Sequence, residues 1–165
     1  METILDKEPI QRVQKFILKF NSKLNVMILK KTARTAKEAA SSLNCEIGAI
    51  VKSLLLKTEE SFLICLVPGD KRCSLSKLKK ILNTKDLSMA NASEVKENTG
   101  FSIGGVSPVA HTKKLDIIID KSLNRFVNIF AAAGHPNCVF KINFNELIKI
   151  TNGEIKELSE WENQK

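Results

Sequence analysis

The 165-residue chain contains no tyrosine, a single tryptophan (Trp161) and only two histidines, His111 and His135. Without aromatic side chains interleaved among its cations, it offers no extended platform for stacking bases. It has no Gly-x-Ser-x-Gly elbow and no cysteine in an activating context, so no nucleophilic triad can be assembled. The four cysteines, Cys45, Cys65, Cys73 and Cys138, include no pair at the two-residue spacing of a zinc knuckle or redox motif. The His-x-x-Cys pair His135 and Cys138 has only His111 as a further imidazole, so neither a metal nor any other cofactor is expected. Cys65 lies inside the apolar run Phe62 to Val67, where a reduced thiol behaves as a small hydrophobe. No apolar run approaches the roughly 20 residues that cross a bilayer. The opening segment Met1 to Pro9 has neither the basic start nor the apolar core of a secretory signal. These absences set the expectation of a cytoplasmic protein with no membrane partner.

What is present is a globular balance, 43% apolar and 27% charged residues, read as one domain over residues 1–165. The net charge of +8 favours an anionic partner, nucleic acid first. That inference is weakened because only Arg12, Arg34, Arg72 and Arg125 are arginines. An abundance of lysine, asparagine and isoleucine also arises from nucleotide bias alone. The basic clusters Lys30-Lys31-Arg34-Lys37 and Lys71-Arg72-Lys77-Lys79-Lys80 read equally as an acceptor-stem track or as solvated faces.

Helices and strands alternate along the chain. Ile10, Val13, Phe16, Ile17 and Phe20 recur at helical spacing. Thr35 to Glu38 and Asn91 to Glu94 match capping boxes, Ser74 caps a short helix, and Gly100 is a helix C-terminal glycine. Strands are expected at residues 25–29, 49–56, 61–67, 116–119, 126–130 and 139–142, with a helix at 144–150 and an edge strand at 154–158. The fold class is therefore mixed α/β.

Three segments carry candidate chemistry. Lys52 is the only charge between Ile47 and Leu56, and both faces of its strand are apolar. Taking an ammonium out of water costs several kcal/mol per ion, so Lys52 either meets a phosphate or carboxylate or snorkels its stem to solvent from the strand end. The segment Gly104-Gly105-Val106-Ser107-Pro108 lets a backbone approach a ligand closely, with a Ser107 hydroxyl beside it and Pro108 fixing the exit. By itself such a Gly-Gly pair is also an ordinary turn. The third segment is Ala131-Ala132-Ala133-Gly134-His135-Pro136, a thin wall ending in an imidazole. His135 reads as a substrate donor or as a satisfied turn residue. Asp120, after Ile117 to Ile119, reads as a cap for the following turn or as a polar group at the strand mouth.

Taken in order, these segments resemble the YbaK/EbsC-type aminoacyl-tRNA deacylases and the related editing domain of bacterial prolyl-tRNA synthetases. The resemblance runs from the Val13 helix through Thr35 to Ala40, Ile50 to Leu54, Gly104 to Pro108 and Ala132 to Asn137, reaching Phe144 to Leu147. It implies a curved mixed sheet with helices packed around it, and hydrolysis of the ester joining a wrong amino acid to tRNA, most often proline tRNA. Lys52 would grip a phosphate near the terminal adenosine. Gly104 and Gly105 would hold the ester and a water or ribose hydroxyl. Ser107, Pro108, Asp120, Gly134 and His135 would line the aminoacyl pocket. His135 stands where the cysteine-selective branch has a glycine- and arginine-containing turn, so the expected substrate is alanine or another small residue, with cysteine on proline tRNA as the alternative. The family often carries a glycine near the position of Ala110, a departure at the loop's exit. A transient complex with prolyl-tRNA synthetase is a further expectation.

Two other readings compete. One is a noncatalytic module of the same fold that binds aminoacyl-tRNA or a synthetase, motivated by the missing side-chain base. The other is a general nucleotide or nucleic-acid binder, motivated by charge and opposed by the shortage of aromatic residues.

Overall fold

Pro9 in the first turn of helix α1 (Glu8–Phe20) costs no hydrogen bond, because the first amides of a helix have no partner. This helix buries Ile10, Val13 and Ile17, the face expected from their spacing. The computed structural model describes residues 3–31 and 33–162. After α1 come β1 (Val26–Ile28), α2 (Ala36–Leu43), β2 (Ile50–Thr58), β3 (Phe62–Pro68), β4 (Lys71–Cys73), α3 (Leu75–Leu82), β5 (Leu87–Met89) and α4 (Ala92–Thr99). The chain ends with β6 (Asp116–Asp120), β7 (Ile129–His135), β8 (Cys138–Ile142), α5 (Phe144–Thr151), β9 (Glu154–Lys156) and β10 (Ser159–Trp161).

The caps are those the sequence signals. Asn91 and Glu94 form a complete capping box, and Gly100 closes α4 at φ +80°. Thr35 makes half of its box: its hydroxyl accepts from the Glu38 amide at 3.1 Å, while the Glu38 carboxylate turns back to that same hydroxyl at 3.2 Å.

Eight strands form one mixed sheet in the order β1-β8-β7-β2-β3-β6-β9, with β5 added beside β2; β4 and β10 make a separate antiparallel ribbon. The central strands β2 and β3 are covered on both faces, which is why they read as nearly continuous apolar runs. Val51, Leu55, Ile64 and Leu66 face the core under α1 and α5. Leu56, Leu63, Cys65 and Val67 face a second core closed by Leu78 of α3 and by Leu158. Truncating a fully buried side chain such as Ile64 to alanine costs about 2–5 kcal/mol.

One topological detail positions the site. The parallel partner β7 pairs with β2 only at Ile50 and Val51, whereas β5 pairs with it only from Leu56 to Thr58. Between them, Lys52 to Leu55 keep β3 on one side and have no strand on the other.

Two expectations shift. The strand expected at 126–130 starts at Ile129 and runs to His135, because Lys121–Arg125 forms a 3-10 turn capped by the Asp120 side chain, which accepts from the Ser122 amide at 3.2 Å. The edge strand expected at 154–158 divides into β9 and β10, which join different sheets.

Candidate active site

The break in pairing along β2 leaves its backbone facing open space. The Ile50 carbonyl receives the Gly69 amide at 2.8 Å and so points toward β3. Backbone groups reverse direction at each residue, so those of Ser53 point the other way, into the gap. Leu55, two residues on, confirms the direction: its carbonyl receives the Ala90 amide from the β5 side at 3.0 Å. A cavity of about 360 Å³ opens along this gap, a volume suited to a small ligand. Arg34 and Thr35 at the start of α2, Ser53 of β2, Gly104 of the loop after α4, and Ala132 and Pro136 of the β7–β8 hairpin all contribute to its lining. Lys52 lines it as well, which unites residues far apart in the chain.

The Lys52 ammonium is neither marooned in hydrocarbon nor fully solvated. Its side chain is 25% exposed, and Nζ lies 3.3 Å from the Glu162 carboxylate. Nζ also donates to the Lys71 main-chain carbonyl. The stem crosses apolar surface and the head reaches polar partners at the edge, so both sequence readings contain part of the answer. Glu162 is itself half exposed, and ion pairs of that kind contribute little and exchange readily.

Of the two glycines expected at the catalytic centre, only Gly104 lines the cavity. It has φ +93°, a conformation favouring glycine. Gly105 is buried, and its amide donates to the Ser102 carbonyl at 3.0 Å. A Cβ at Gly105 would sit 2.8 Å from the His135 nitrogen, so this glycine lets the loop lie directly on β7 and does not present an amide to a ligand. Ser107 and Pro108 are buried and do not line the cavity. The Ser107 hydroxyl accepts from the Val109 amide at 3.2 Å, and its carbonyl pairs with His111 Nε2 at 2.7 Å. Burial holds the His111 pKa below its ordinary value, and Arg12 adds to the effect against the Ser107 hydrogen bond. His111 is therefore a neutral Nε2–H donor that fastens the loop. Arg12 of α1 supports the same loop from outside, donating from Nε to the Ala110 carbonyl at 2.8 Å and packing over Phe101 at 4.4 Å.

The Gly134–Pro136 turn forms the opposite wall. Gly134 packs against the Pro9 backbone, Pro136 faces the cavity, and His135 stands beside it without lining it. His135 Nδ1 accepts the Asn137 amide at 3.0 Å, which leaves the proton on Nε2. Burial and then the nearby Lys7 charge hold its pKa below the ordinary imidazole value. Asn137 in turn receives the Leu29 amide at 2.7 Å on its main-chain carbonyl and the Ala33 amide at 3.1 Å on its side chain, bracing the segment that carries Arg34.

Asp120 departs from the expectation that it lines the aminoacyl pocket and borders a separate cavity instead. It is 1% exposed. Its carboxylate accepts the Leu158 and Ser159 amides at 3.0 and 3.1 Å and the Ser159 hydroxyl at 2.8 Å. Burial pushes its pKa up, but these bonds and those from Ser122 outweigh that and hold it below the usual carboxylate range. With its acceptor positions occupied, it ties the C-terminal ribbon to β6.

Two cavity residues escaped the sequence reading. Ser53 has a buried hydroxyl with no hydrogen-bond partner among the described residues; the available signal was a lone hydroxyl on the core-facing side of an apolar strand. Arg34 appeared only as one member of a charge cluster. Among the described residues, no group of three His, Cys, Asp or Glu side chains is arranged to hold a metal ion, and no helix is long and apolar enough to cross a membrane. The cavity therefore combines two cations, one unsatisfied hydroxyl and free backbone polar groups on otherwise apolar walls. Such a site can hold a small ester next to a phosphate and position a water against it.

Comparison with known proteins accords with this chemistry. The family model described as "Aminoacyl-tRNA editing domain" matches residues 30–150. A crystal structure described as a candidate trans-editing enzyme for prolyl tRNA synthetase superposes with a TM-score of 0.88 at 35% identity, covering 93% of this chain and 98% of that one. The proline–tRNA ligase of Thermosipho africanus is 36% identical over 112 residues, 68% of this chain and 20% of the ligase. The chain thus spans about a fifth of that ligase's length. EbsC of Enterococcus faecalis, named as a candidate Cys-tRNA(Pro)/Cys-tRNA(Cys) deacylase, is 25% identical over 126 residues, covering 76% of this chain and 77% of EbsC. Family match and fold agree, and the chain belongs to the YbaK/EbsC-type family of aminoacyl-tRNA editing domains.

Proposed function

We propose that this protein is a trans-editing hydrolase that removes a small, wrong amino acid from proline tRNA. The observation that carries the reading is the cavity itself, which places Lys52, Ser53 and Gly104 around one small apolar space. In this reading the phosphate beside the terminal adenosine displaces Glu162 from Lys52, with Arg34 adding charge at the rim. The ester carbonyl enters the gap in β2, where the Ser53 amide and hydroxyl offer donors as charge develops on its oxygen. A water, positioned by the neighbouring ribose hydroxyl, attacks the carbonyl carbon and gives up a proton. The bond to the ribose oxygen then breaks, and a proton returns to that oxygen, releasing tRNA. Fixing the reactants supplies much of the acceleration, and an ester is activated enough to react without a side-chain base.

Cysteine and alanine both suit a small apolar cavity. The name of the Enterococcus faecalis relative favours cysteine, while His135 in the Gly134–Pro136 turn is the basis for alanine. Proline tRNA is favoured by the relatives connected with proline charging, which also make prolyl-tRNA synthetase the partner to test. The experiment is multiple-turnover deacylation, with protein substoichiometric, of proline tRNA charged with cysteine, alanine, serine, threonine or proline. The expected result is hydrolysis of the cysteine or alanine ester with the proline ester spared. Retention of every ester, with or without the synthetase, would refute hydrolysis and leave the noncatalytic binding module.

A further inference from the structure

The chain's only tryptophan pairs with the residue whose carbonyl receives the Lys52 ammonium, and is not part of the cavity described above. Trp161 lies in β10 and that partner, Lys71, in β4. Its side chain stays 61% exposed. The Lys71 ammonium lies 4.3 Å and the Arg125 guanidinium 5.3 Å from its ring centroid. The two cations over the ring, Lys71 and Arg125, also line a second cavity of about 450 Å³, to which Asp120, Lys121 and Asn124 contribute and the ring itself does not.

Most acidic groups nearby are already engaged. Asp70 holds Arg125 through two bonds of 2.8 and 2.9 Å, Glu160 holds Arg72 at 2.9 Å, Glu162 holds Lys52, and Asp120 is capped by amides and hydroxyls. Glu157 also lines this second cavity. Among the described residues, no carboxylate lies within ion-pair distance of Lys71 or Lys121. An exposed indole covered only by cations, with two lysines that no carboxylate pairs, has the chemistry that recognises a nucleotide: the base replaces the Lys71 ammonium over the ring and stacks there, and the freed lysine meets the phosphate. The bond from Lys52 to the Lys71 carbonyl adds direction, because a strand whose last phosphate sits on Lys52 continues over Lys71.

We propose that Trp161, Lys71 and Lys121 form an RNA subsite that takes the unpaired nucleotide preceding the aminoacylated adenosine. The inference rests on the editing reading for its ligand, and extends it from the reacting ester to the strand that delivers it. A single stacking position of this kind differs from the extended aromatic platform that the composition excludes.

Because the chain has one tryptophan and no tyrosine, its intrinsic emission reports on Trp161 alone. The test titrates the 165-residue chain with the uncharged single-stranded RNA tetranucleotide ACCA, with polarisation of the same RNA bearing a 5′ dye as the second readout. Saturable change in Trp161 emission is expected. Trp161→Ala should weaken binding about tenfold, with Trp161→Phe retaining most of the affinity because a ring remains. Lys71→Ala should weaken binding and reduce its salt dependence by about one counterion. Unchanged Trp161 emission while polarisation shows binding, or equal affinity of wild type and Trp161→Ala, would overturn the subsite. Both readouts use uncharged RNA, so they separate the two proposals. Ester hydrolysis without a Trp161 response refutes the subsite alone, and a Trp161 response without hydrolysis refutes the editing activity alone.

Discussion

Ala110 has φ +64°, in the left-handed region that costs a non-glycine residue about 1–2 kcal/mol. Its carbonyl receives Arg12 Nε, so the loop's exit retains the glycine conformation in the absence of glycine. The sequence marked this position as a departure from the family. The structure places Ala110 in the left-handed conformation that glycine adopts without strain. Ala110→Gly is expected to stabilise the protein by about 1 kcal/mol, because relief of that strain exceeds glycine's added unfolded-state entropy. This corresponds to a rise of about 2–4 °C in melting temperature, and a fall in a thermal melt would show that Ala110 is unstrained. Lys52 was equally legible, since an isolated charge in an apolar strand demands a partner. Its partners were not, because Lys71 and Glu162 reach it only through the pairing of β4 with β10.

At the scale of elements, the long or well-capped segments could be read directly. The Asn91–Glu94 box, the Ser74 cap and the apolar face of α1 each state their own structure. The three-residue strands β4 and β5 could not be read, because so short a strand has no periodicity and exists only where a neighbour supplies hydrogen bonds. Asp120 shows the same limit for a single residue. Its role as a cap was one of the two readings, but its hold on Leu158 and Ser159 depends on where the chain returns 38 and 39 residues later. Asp120→Ala would leave those buried donors without an acceptor and is expected to cost about 3 kcal/mol. Loosening of the β4–β10 ribbon should accompany it, seen as faster hydrogen exchange at residues 158–161. Unchanged exchange there would show that the ribbon holds without Asp120.

For the whole molecule, the site is a consequence of topology. Residues 34, 52, 53, 104 and 136 meet because β7 leaves β2 after Val51 and β5 joins it only at Leu56. The fold class and the resemblance were legible because apolar alternation and caps are local signals, and because Lys52, the glycine loop and the Gly134–Pro136 turn keep their order. The division of labour among the loop residues was not legible. Gly105, Ser107 and Pro108 look like ligand-facing groups in sequence, yet they form the buried frame that holds Gly104 at the cavity. Ser53 was hidden for the converse reason: a strand pattern assigns it to the core, and only the missing neighbour opens that side to a ligand.

The central claim is that Lys52 secures the acceptor end while the surrounding cavity holds the ester. The most direct measurement is therefore deacylation of cysteinyl- and alanyl-tRNA(Pro) by wild type and Lys52→Ala, with circular dichroism confirming that the variant is folded. The account predicts loss of at least about a hundredfold in kcat/KM, the scale seen when a preorganised polar contact to the reacting species is removed. A folded Lys52→Ala protein that hydrolyses every active substrate at the wild-type rate would contradict it.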